Sequence, residues 1–197
     1  MKTLLSLLIA LVSVTFSFGQ TATISGKITD ASGAFLAGVT VELLDENGAV
    51  VASAANVGPY SFENIATGQT YTLNIKKSGS VLNGLSTYDL VLMHRAILGT
   101  GDPLESLKLL AGDVNGSNSL SVADLISIRL MILGIITELP DGRNWGFIPA
   151  AYQFQNPSNP FAEVGDISRT FILNEDINDL DYHAFKYGDL NDSVVNE

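Results

Sequence analysis

Residues 113–124 read DVNGSNSLSVAD, in which oxygen-bearing side chains recur at every second position from 113 to 121 and again at position 124. They are Asp113, Asn115, Ser117, Ser119, Ser121 and Asp124. Calcium is a hard ion that takes six to eight oxygen ligands. A polar turn would explain the Asn, Gly and Ser residues, but it needs neither this register of oxygens nor the closing Asp. These residues, here called the central loop, are therefore a candidate calcium loop.

The central loop resembles half of an EF-hand, whose loop binds calcium through positions 1, 3, 5, 7, 9 and 12. The resemblance assigns these positions to Asp113, Asn115, Ser117, the Ser119 carbonyl, Ser121 and Asp124. Three residues depart from the EF-hand pattern, namely Ser117 for Asp, Asn118 for Gly and Asp124 for Glu. Asn tolerates the left-handed backbone that position 6 requires. The shorter closing carboxylate and the smaller charge predict an affinity suited to extracellular calcium.

The segment after the central loop is one copy of an internal repeat. GLSTYDLVLMHRAILG (residues 84–99) aligns with SLSVADLISIRLMILG (residues 119–134) at an offset of 35 residues. Apolar residues recur at helical spacing in both copies, and a glycine follows each helix. Repeats of this length are supersecondary units that bury their apolar faces against each other. The repeat predicts two helices with facing apolar stripes.

Two loop-plus-helix repeats that end at ILG resemble a type I dockerin or a dockerin-like module of secreted bacterial proteins. The resemblance covers residues 77 to about 136. It implies Ca²⁺ as the bound ion, a cohesin-like domain as partner, and a parent system of polysaccharide breakdown or cell-surface assembly. It also implies recognition through loop positions 10 and 11, which are Thr87, Tyr88, Val122 and Ala123. These two pairs differ, which argues against a symmetrical binding mode.

The first repeat has a weaker set of candidate ligands. Counting back from Asp89 as position 12 gives Ser78, Ser80, the Gly84 carbonyl and Ser86. Leu82 stands at position 5, and Asp89 is the one carboxylate left. We therefore expect a site that is weak or empty, or one that is filled by backbone carbonyls and waters.

The end of the chain holds a third, incomplete set. Asp189, Asn191 and Ser193 repeat the D-x-N-x-S opening of the central loop, but Glu197 ends the chain before position 12. A loop without its closing carboxylate should bind calcium poorly. The sequence favours a fragment of a longer polypeptide, and a tail of calcium-loop composition is the alternative.

Residues 20–77 read as a separate unit of strands. Short runs rich in Val, Ile, Thr, Tyr and Phe alternate with turn signals such as Asn47-Gly48. The stretches ISGKITDASGAFLAGVTVELLD and GPYSFENIATGQTYTLNIKK resemble the carboxypeptidase regulatory-like or Cna B-type sandwich, a transthyretin-like fold. This resemblance implies an antiparallel β-sandwich that serves as a spacer and carries no catalytic residue.

The N-terminal residues and the composition indicate an exported protein. Residues 1–19, MKTLLSLLIALVSVTFSFG, have the Lys, the apolar run and the small residues of a cleaved signal peptide. The apolar run is too short to span a bilayer comfortably, so no membrane span is expected after cleavage. The absence of cysteine rules out a disulfide framework. A net charge of -11 argues against nucleic-acid binding.

The remaining residues, 138–197, are loop-rich and contain aromatic residues, among them Trp145. These rings either supply core for the helices or stack on sugars. No catalytic motif accompanies His94 or His183, so we expect no enzyme activity.

Together these features predict a multi-domain α+β protein. Its parts are a signal peptide (1–19), the β-sandwich (20–77), a two-helix calcium-binding dockerin-like module (78–137) and an irregular or β segment (138–197), which is part of that module or truncated. The predicted function is that of a secreted or cell-surface, non-catalytic calcium-binding interaction module. The alternatives are a calcium-rigidified joint of an adhesin-like protein and a carbohydrate-binding accessory module.

Overall fold

The computed structural model describes residues 19–55, 58–167 and 169–195. The predicted signal peptide at residues 1–19 therefore lies, apart from Gly19, outside the described residues. Within the described ranges, no helix combines the length and the apolar character needed to cross a bilayer.

Eight strands and three α-helices form the regular structure of the described residues. The strands are β1 (Thr21–Thr29), β2 (Val39–Leu44), β3 (Val50–Ala55), β4 (Pro59–Ala66), β5 (Gln69–Lys77), β6 (Trp145–Pro149), β7 (Thr170–Leu173) and β8 (Tyr182–Lys186). The helices are α1 (Thr87–Leu98), α2 (Ser106–Gly112) and α3 (Val122–Ile132). Two short 3-10 helices lie at Pro160–Ala162 and Val164–Asp166.

The first five strands form where apolar and polar residues alternate. In β2, Val39, Val41 and Leu43 are fully buried, and the residues between them are partly exposed. β4 and β5 alternate in the same way over most of their length. Asp45 turns the chain between β2 and β3, because its side chain accepts the Asn47 amide at 2.9 Å. Each strand therefore presents one apolar face to a core.

The strands make two four-stranded sheets, with the orders β4-β1-β8-β6 and β3-β2-β5-β7. β8 pairs with β1 in parallel, with Ile28 opposite Tyr182 and Thr29 opposite His183. β7 pairs with β5 in antiparallel fashion. Since β6, β7 and β8 all come from residues 145–186, the C-terminal part of the chain completes both sheets.

The two sheets share a first apolar core. Ile24 of β1, Leu73 of β5 and Leu173 of β7 are at most 1% exposed. Burying one such side chain contributes about 1.5–3 kcal/mol to folding. The Tyr60 hydroxyl of β4 donates to the Leu180 carbonyl at 2.6 Å, which ties this core to the segment before β8.

The helices share a second apolar core with the C-terminal strands. Met93 of α1 and Ile128 of α3 are fully buried there, and they pack with Phe185 of β8 and with residues of α2 and β6. Neighbouring residues of a strand point to opposite faces of its sheet. Ala184 accordingly belongs to the first core and Phe185 to the second. β8 therefore lies between the first core and the helices.

The predicted fold class, a β-sandwich followed by a two-helix dockerin-like module and an irregular or β segment, is wrong. The protein is mostly β, with two four-stranded sheets and three helices in the described residues, and a two-helix module is not evident. The reason is burial, because the apolar stripes of α1 and α3 are covered by α2, β6 and β8 as well as by each other. α2 has only seven residues, which is too short for helical periodicity to reveal it.

Candidate metal centre

The central loop begins with a turn that Asp113 holds. Asp113 is 4% exposed, and its Oδ1 and Oδ2 accept the amides of Ser117 and Asn118, both at 2.9 Å. Asn115 Oδ1 also accepts the Ser117 amide at 2.9 Å. Gly116 and Asn118 have left-handed φ angles of 70° and 59°, which Gly and Asn tolerate best. The opening residues thus supply both the acceptors and the backbone freedom that the turn needs.

The central loop ends in the first turn of α3. Ser121 is the N-cap of this helix, and its amide and hydroxyl donate to Asp124 Oδ2 at 3.0 and 2.8 Å. Asp124 is fully buried. Its Oδ1 accepts the Asn115 amide at 3.2 Å. The closing carboxylate therefore lies against the opening residues of the loop.

The two carboxylates of the central loop have no cationic partner among the described residues. None of the ion pairs there involves Asp113 or Asp124. Arg143 contacts the loop, but its guanidinium pairs with Asp141 and stacks over Tyr187, 4.2 Å from the ring centre. It reaches only the backbone carbonyl of Asp113, at 3.0 Å. Since a buried carboxylate without a counter-charge is costly, this arrangement favours binding of a cation.

Neutral oxygens accompany the two carboxylates. The Ser117 hydroxyl donates to the Ser119 carbonyl at 3.3 Å, so positions 5 and 7 lie side by side. No group of three or more His, Asp or Glu side chains converges anywhere in the described ranges. A set of two carboxylates with amide, hydroxyl and carbonyl oxygens suits a hard cation such as calcium. Its low charge predicts the weak affinity typical of extracellular modules.

The candidate ligands of the first repeat fall into an exposed and a buried group. Ser78 and Ser80 are exposed, and no hydrogen bond in the described residues joins either to Asp89. Asp89 itself is fully buried. Ser86, the N-cap of α1, donates to Asp89 Oδ2 from its amide at 2.8 Å and from its hydroxyl at 2.7 Å. The same pairing of Ser with Asp closes the central loop at the start of α3.

The candidate ligands near the end of the chain lie beside the first repeat. Asp189 is 4% exposed, and its Oδ1 accepts the amides of Asn191 and Ser193 at 3.2 and 3.1 Å. The Ser193 hydroxyl donates to the Gly84 carbonyl at 3.1 Å, although the two residues are 109 positions apart. The structure thus brings together two sets that are each incomplete along the sequence.

The residues expected to contact a partner lie in the first turns of α1 and α3. Thr87, Tyr88, Val122 and Ala123 are all exposed. Apolar residues further along the two helices or at the end of α3 are also about half exposed, namely Val91, Leu98, Ile126 and the C-cap residue Leu133. We call these eight residues the outer helix surface. The helices therefore bury one face in the second core and leave an apolar surface outside.

The two histidines lie outside the central loop. His94 is exposed on α1, and His183 Nδ1 lies 3.0 Å from the Thr29 hydroxyl. His183 also lines a cleft of about 550 Å³. Lys108 and Asp192 line the same cleft and pair with each other at 2.8 Å. Asp189, which forms no ion pair among the described residues, also lines this cleft.

Two residues that support these sites were not predicted from the sequence. Arg143 holds the Asp113 carbonyl, as described above. The Asn83 side chain exchanges two hydrogen bonds with the backbone of Val195, at 2.8 and 3.0 Å. An Arg and an Asn in loops carry no distinguishing pattern, and only the fold places them at these sites.

Comparisons with known proteins add no assignment. No model of a protein family matches the chain. A search of curated proteins finds no significant match either. Function is therefore inferred from the residues described above.

Proposed function

We propose that this chain is a non-catalytic calcium-binding interaction module of an extracellular protein, with the ion held by the central loop. One observation carries the proposal. Asp113 and Asp124 are buried in one loop, lack any ion pair in the described residues, and alternate with neutral oxygen donors. Calcium would neutralise the two carboxylates and accept the neutral oxygens as further ligands.

The ion would act by coupling loop geometry to helix position. Asp124 is the third residue of α3, so a cation bound to it fixes the first turn of this helix. Ile128 and Met131, on the same helix, are at most 1% exposed in the second core. Binding free energy is therefore shared with folding, and a ligand at one hundred times its Kd adds about 2.7 kcal/mol of stability.

The outer helix surface supports a role in protein recognition. Its members project from two helices whose inner faces are fixed in the second core. Exposed apolar residues that form a patch are typical of interaction sites, and six of these eight residues are exposed large apolar or aromatic side chains. A rigid surface also loses little conformational entropy on binding. The partner class proposed from the resemblance of the repeats is a cohesin-like domain, in a system of polysaccharide breakdown or cell-surface assembly.

A calcium-rigidified joint is the second candidate. It is favoured by the second core, in which helix residues such as Met93 pack directly against strand residues such as Phe185. In that case calcium would stiffen the contact between helices and sheets, with no partner in trans. Carbohydrate binding has less support, because Trp145 is partly buried against the first core and has the Lys77 ammonium 5.2 Å from its ring centre.

Calcium titration of the isotope-labelled full chain, followed by amide NMR, tests the proposal at the loop itself. We expect the amides of Asn115, Ser117 and Asn118 to shift at millimolar calcium. The shifts should be lost in Asp113→Asn, which removes a charge but keeps an acceptor. Asp45→Asn is the matched control, because Asp45 holds a similar D-x-N turn with no second carboxylate bonded to it. Unchanged loop amides in the wild type would refute calcium binding by the central loop.

A further inference from the structure

Residues 189–195, here called the tail segment, copy the opening of the central loop. The Ser193 amide donates to Asp189 Oδ1 at 3.1 Å and to Asn191 Oδ1 at 3.0 Å. The Val194 amide donates to Asp189 Oδ2 at 2.7 Å. Each bond has a counterpart of the same kind in the central loop, at 2.9 Å. Asp192, at position 4, has a left-handed φ of 55°, as Gly116 has at position 4 of the central loop.

Residues 84–89 of the first repeat copy the closing half of the central loop. Ser86 and Asp89 are joined by the same two hydrogen bonds as Ser121 and Asp124. Both aspartates are fully buried in the first turn of a helix. The first repeat thus has positions 7, 9 and 12 of a calcium loop, and the tail segment has positions 1, 3 and 5.

The fold joins the two halves with hydrogen bonds similar to those that join the halves of the central loop. The Ser193 hydroxyl donates to the Gly84 carbonyl at 3.1 Å, as position 5 of the central loop donates to position 7 at 3.3 Å. The Leu190 amide, at position 2 of the tail segment, donates to Asp89 Oδ1 at 2.8 Å. In the central loop the closing carboxylate accepts the amide of position 3, Asn115, at 3.2 Å. In both places the position-5 hydroxyl contacts the position-7 carbonyl, and an amide of the opening residues contacts the closing carboxylate.

We propose that the chain holds a second calcium ion in a split site, with Asp189, Asn191 and Ser193 from the tail segment and the Gly84 carbonyl, Ser86 and Asp89 from the first repeat as its ligands. Binding would tie the end of the described chain to the start of α1. This inference rests on the proposed function in one respect only, because the central loop serves as its geometric template.

Charge around the split site supports a cation as its ligand. Asp89 and Asp189 are at most 4% exposed, and neither forms an ion pair among the described residues. The ammonium groups of Lys186 and Lys108 lie near Asp189, but neither forms an ion pair with it. Lys186 donates to the Val81 carbonyl at 3.0 Å, and Lys108 pairs with Asp192. A divalent ion would compensate both buried carboxylates directly.

Gly84 is the residue that lets the two segments approach each other. Its φ of +88° is a left-handed conformation, and a Cβ at this position would lie 2.7 Å from Asp189 Oδ2. Any side chain would therefore push the carboxylate away from the Gly84 carbonyl.

The oxygen-only donor set, with no cysteine in the chain, selects a hard ion such as calcium over zinc.

The number of calcium ions bound to the full chain, measured by calorimetry, tests the split site. We expect two ions in the wild type, one in Asp189→Asn, one in Asp113→Asn and none in the double variant. Asp45→Asn is the matched control, because Asp45 accepts the amides of a similar D-x-N turn and is not a proposed ligand; it should keep both ions.

The outcomes separate the two proposals. One ion that survives Asp189→Asn and is lost in Asp113→Asn would overturn the split site and leave the proposed function standing. One ion that survives Asp113→Asn and is lost in Asp189→Asn would refute calcium binding by the central loop alone. A wild type that binds no calcium would refute both sites.

A second measurement covers the case in which Asp189→Asn fails to fold. In the wild type, calcium should slow hydrogen exchange at the amides of Leu190, Val194 and Val195 at least tenfold, because the ion fixes the tail segment. Exchange that is unchanged at saturating calcium would contradict the split site.

Discussion

The Leu190 amide donates to the buried Asp89 carboxylate at 2.8 Å, across 101 positions of sequence. This bond places the tail segment on the first turn of α1. Asn83 and Val195 exchange two more hydrogen bonds across the same contact. The start of α1 is therefore completed by the end of the described chain.

Gly84→Ala should lower the free energy of unfolding by more than the cost of placing Ala in a left-handed backbone conformation. A methyl group there would collide with the Asp189 carboxylate and with Val194, 2.9 Å away. Gly99→Ala is the control, because Gly99 also has a left-handed φ, of 64°, but has nothing within 4 Å of its Cβ position. We expect Gly99→Ala to cost about 1–2 kcal/mol in chemical unfolding, and Gly84→Ala to cost more. Equal costs would contradict the close approach.

Shortening Ile128 should destabilise the whole protein. Its side chain is fully buried in the second core, so Ile128→Ala should lower the free energy of unfolding by about 2–5 kcal/mol. Ile126→Ala, on the same helix, removes a side chain that is 50% exposed and should cost far less. Urea unfolding followed by circular dichroism and Trp145 fluorescence measures both. A helix transition well separated from the Trp145 transition would contradict a core shared by helices and strands.

Arg143→Ala should weaken calcium binding at the central loop. The guanidinium donates to the Asp113 carbonyl and to the Tyr187 hydroxyl while it pairs with Asp141. Arg143→Lys should not restore the affinity, because an ammonium group cannot make this planar set of contacts. Calorimetry should show a several-fold loss for both variants. Wild-type affinity in Arg143→Lys would show that charge alone matters, and Arg95→Ala, at an exposed helix position, is the control.

Tyr60→Phe tests the contact between β4 and the segment before β8. The hydroxyl donates to the Leu180 carbonyl at 2.6 Å, and Tyr60 is 4% exposed. Loss of this hydrogen bond should lower the free energy of unfolding by about 0.5–1.5 kcal/mol. Tyr88→Phe, on an exposed ring, should change it little. A Tyr60→Phe protein as stable as the wild type would argue against this packing of the C-terminal segment.

The sequence predicts the individual strands and helices of this fold, but it does not predict which elements pair or pack with each other. Five runs of alternating residues correspond to β1 to β5, and the two repeat copies correspond to α1 and α3. The parallel pairing of β1 with β8 joins Ile28 to Tyr182, and no periodicity specifies such a distant partner. The predicted fold class failed for this reason, because local patterns do not show which surfaces cover them.

The candidate calcium ligands also differ in whether the sequence alone groups them into one site. The oxygens of the central loop lie within twelve consecutive residues, so their spacing alone leads to the prediction of a calcium loop, which stays a prediction. The proposed split site appears in the sequence only as two incomplete sets of oxygen-bearing residues, since Asp89 and Asp189 come from segments about one hundred residues apart. Counting back from Asp89 along the chain leads to Ser78 and Ser80, whereas the fold brings the tail segment to the same carboxylate.

Equilibrium unfolding of the full chain in urea, with a chelator and with millimolar calcium, tests the central claim most directly. Calcium should raise the free energy of unfolding by RT ln(1 + [Ca²⁺]/Kd) for each site, which is about 2.7 kcal/mol at one hundred times Kd. The gain should fall in Asp113→Asn and persist in Asp45→Asn. An unfolding curve that is identical with and without calcium would contradict a calcium-stabilised module.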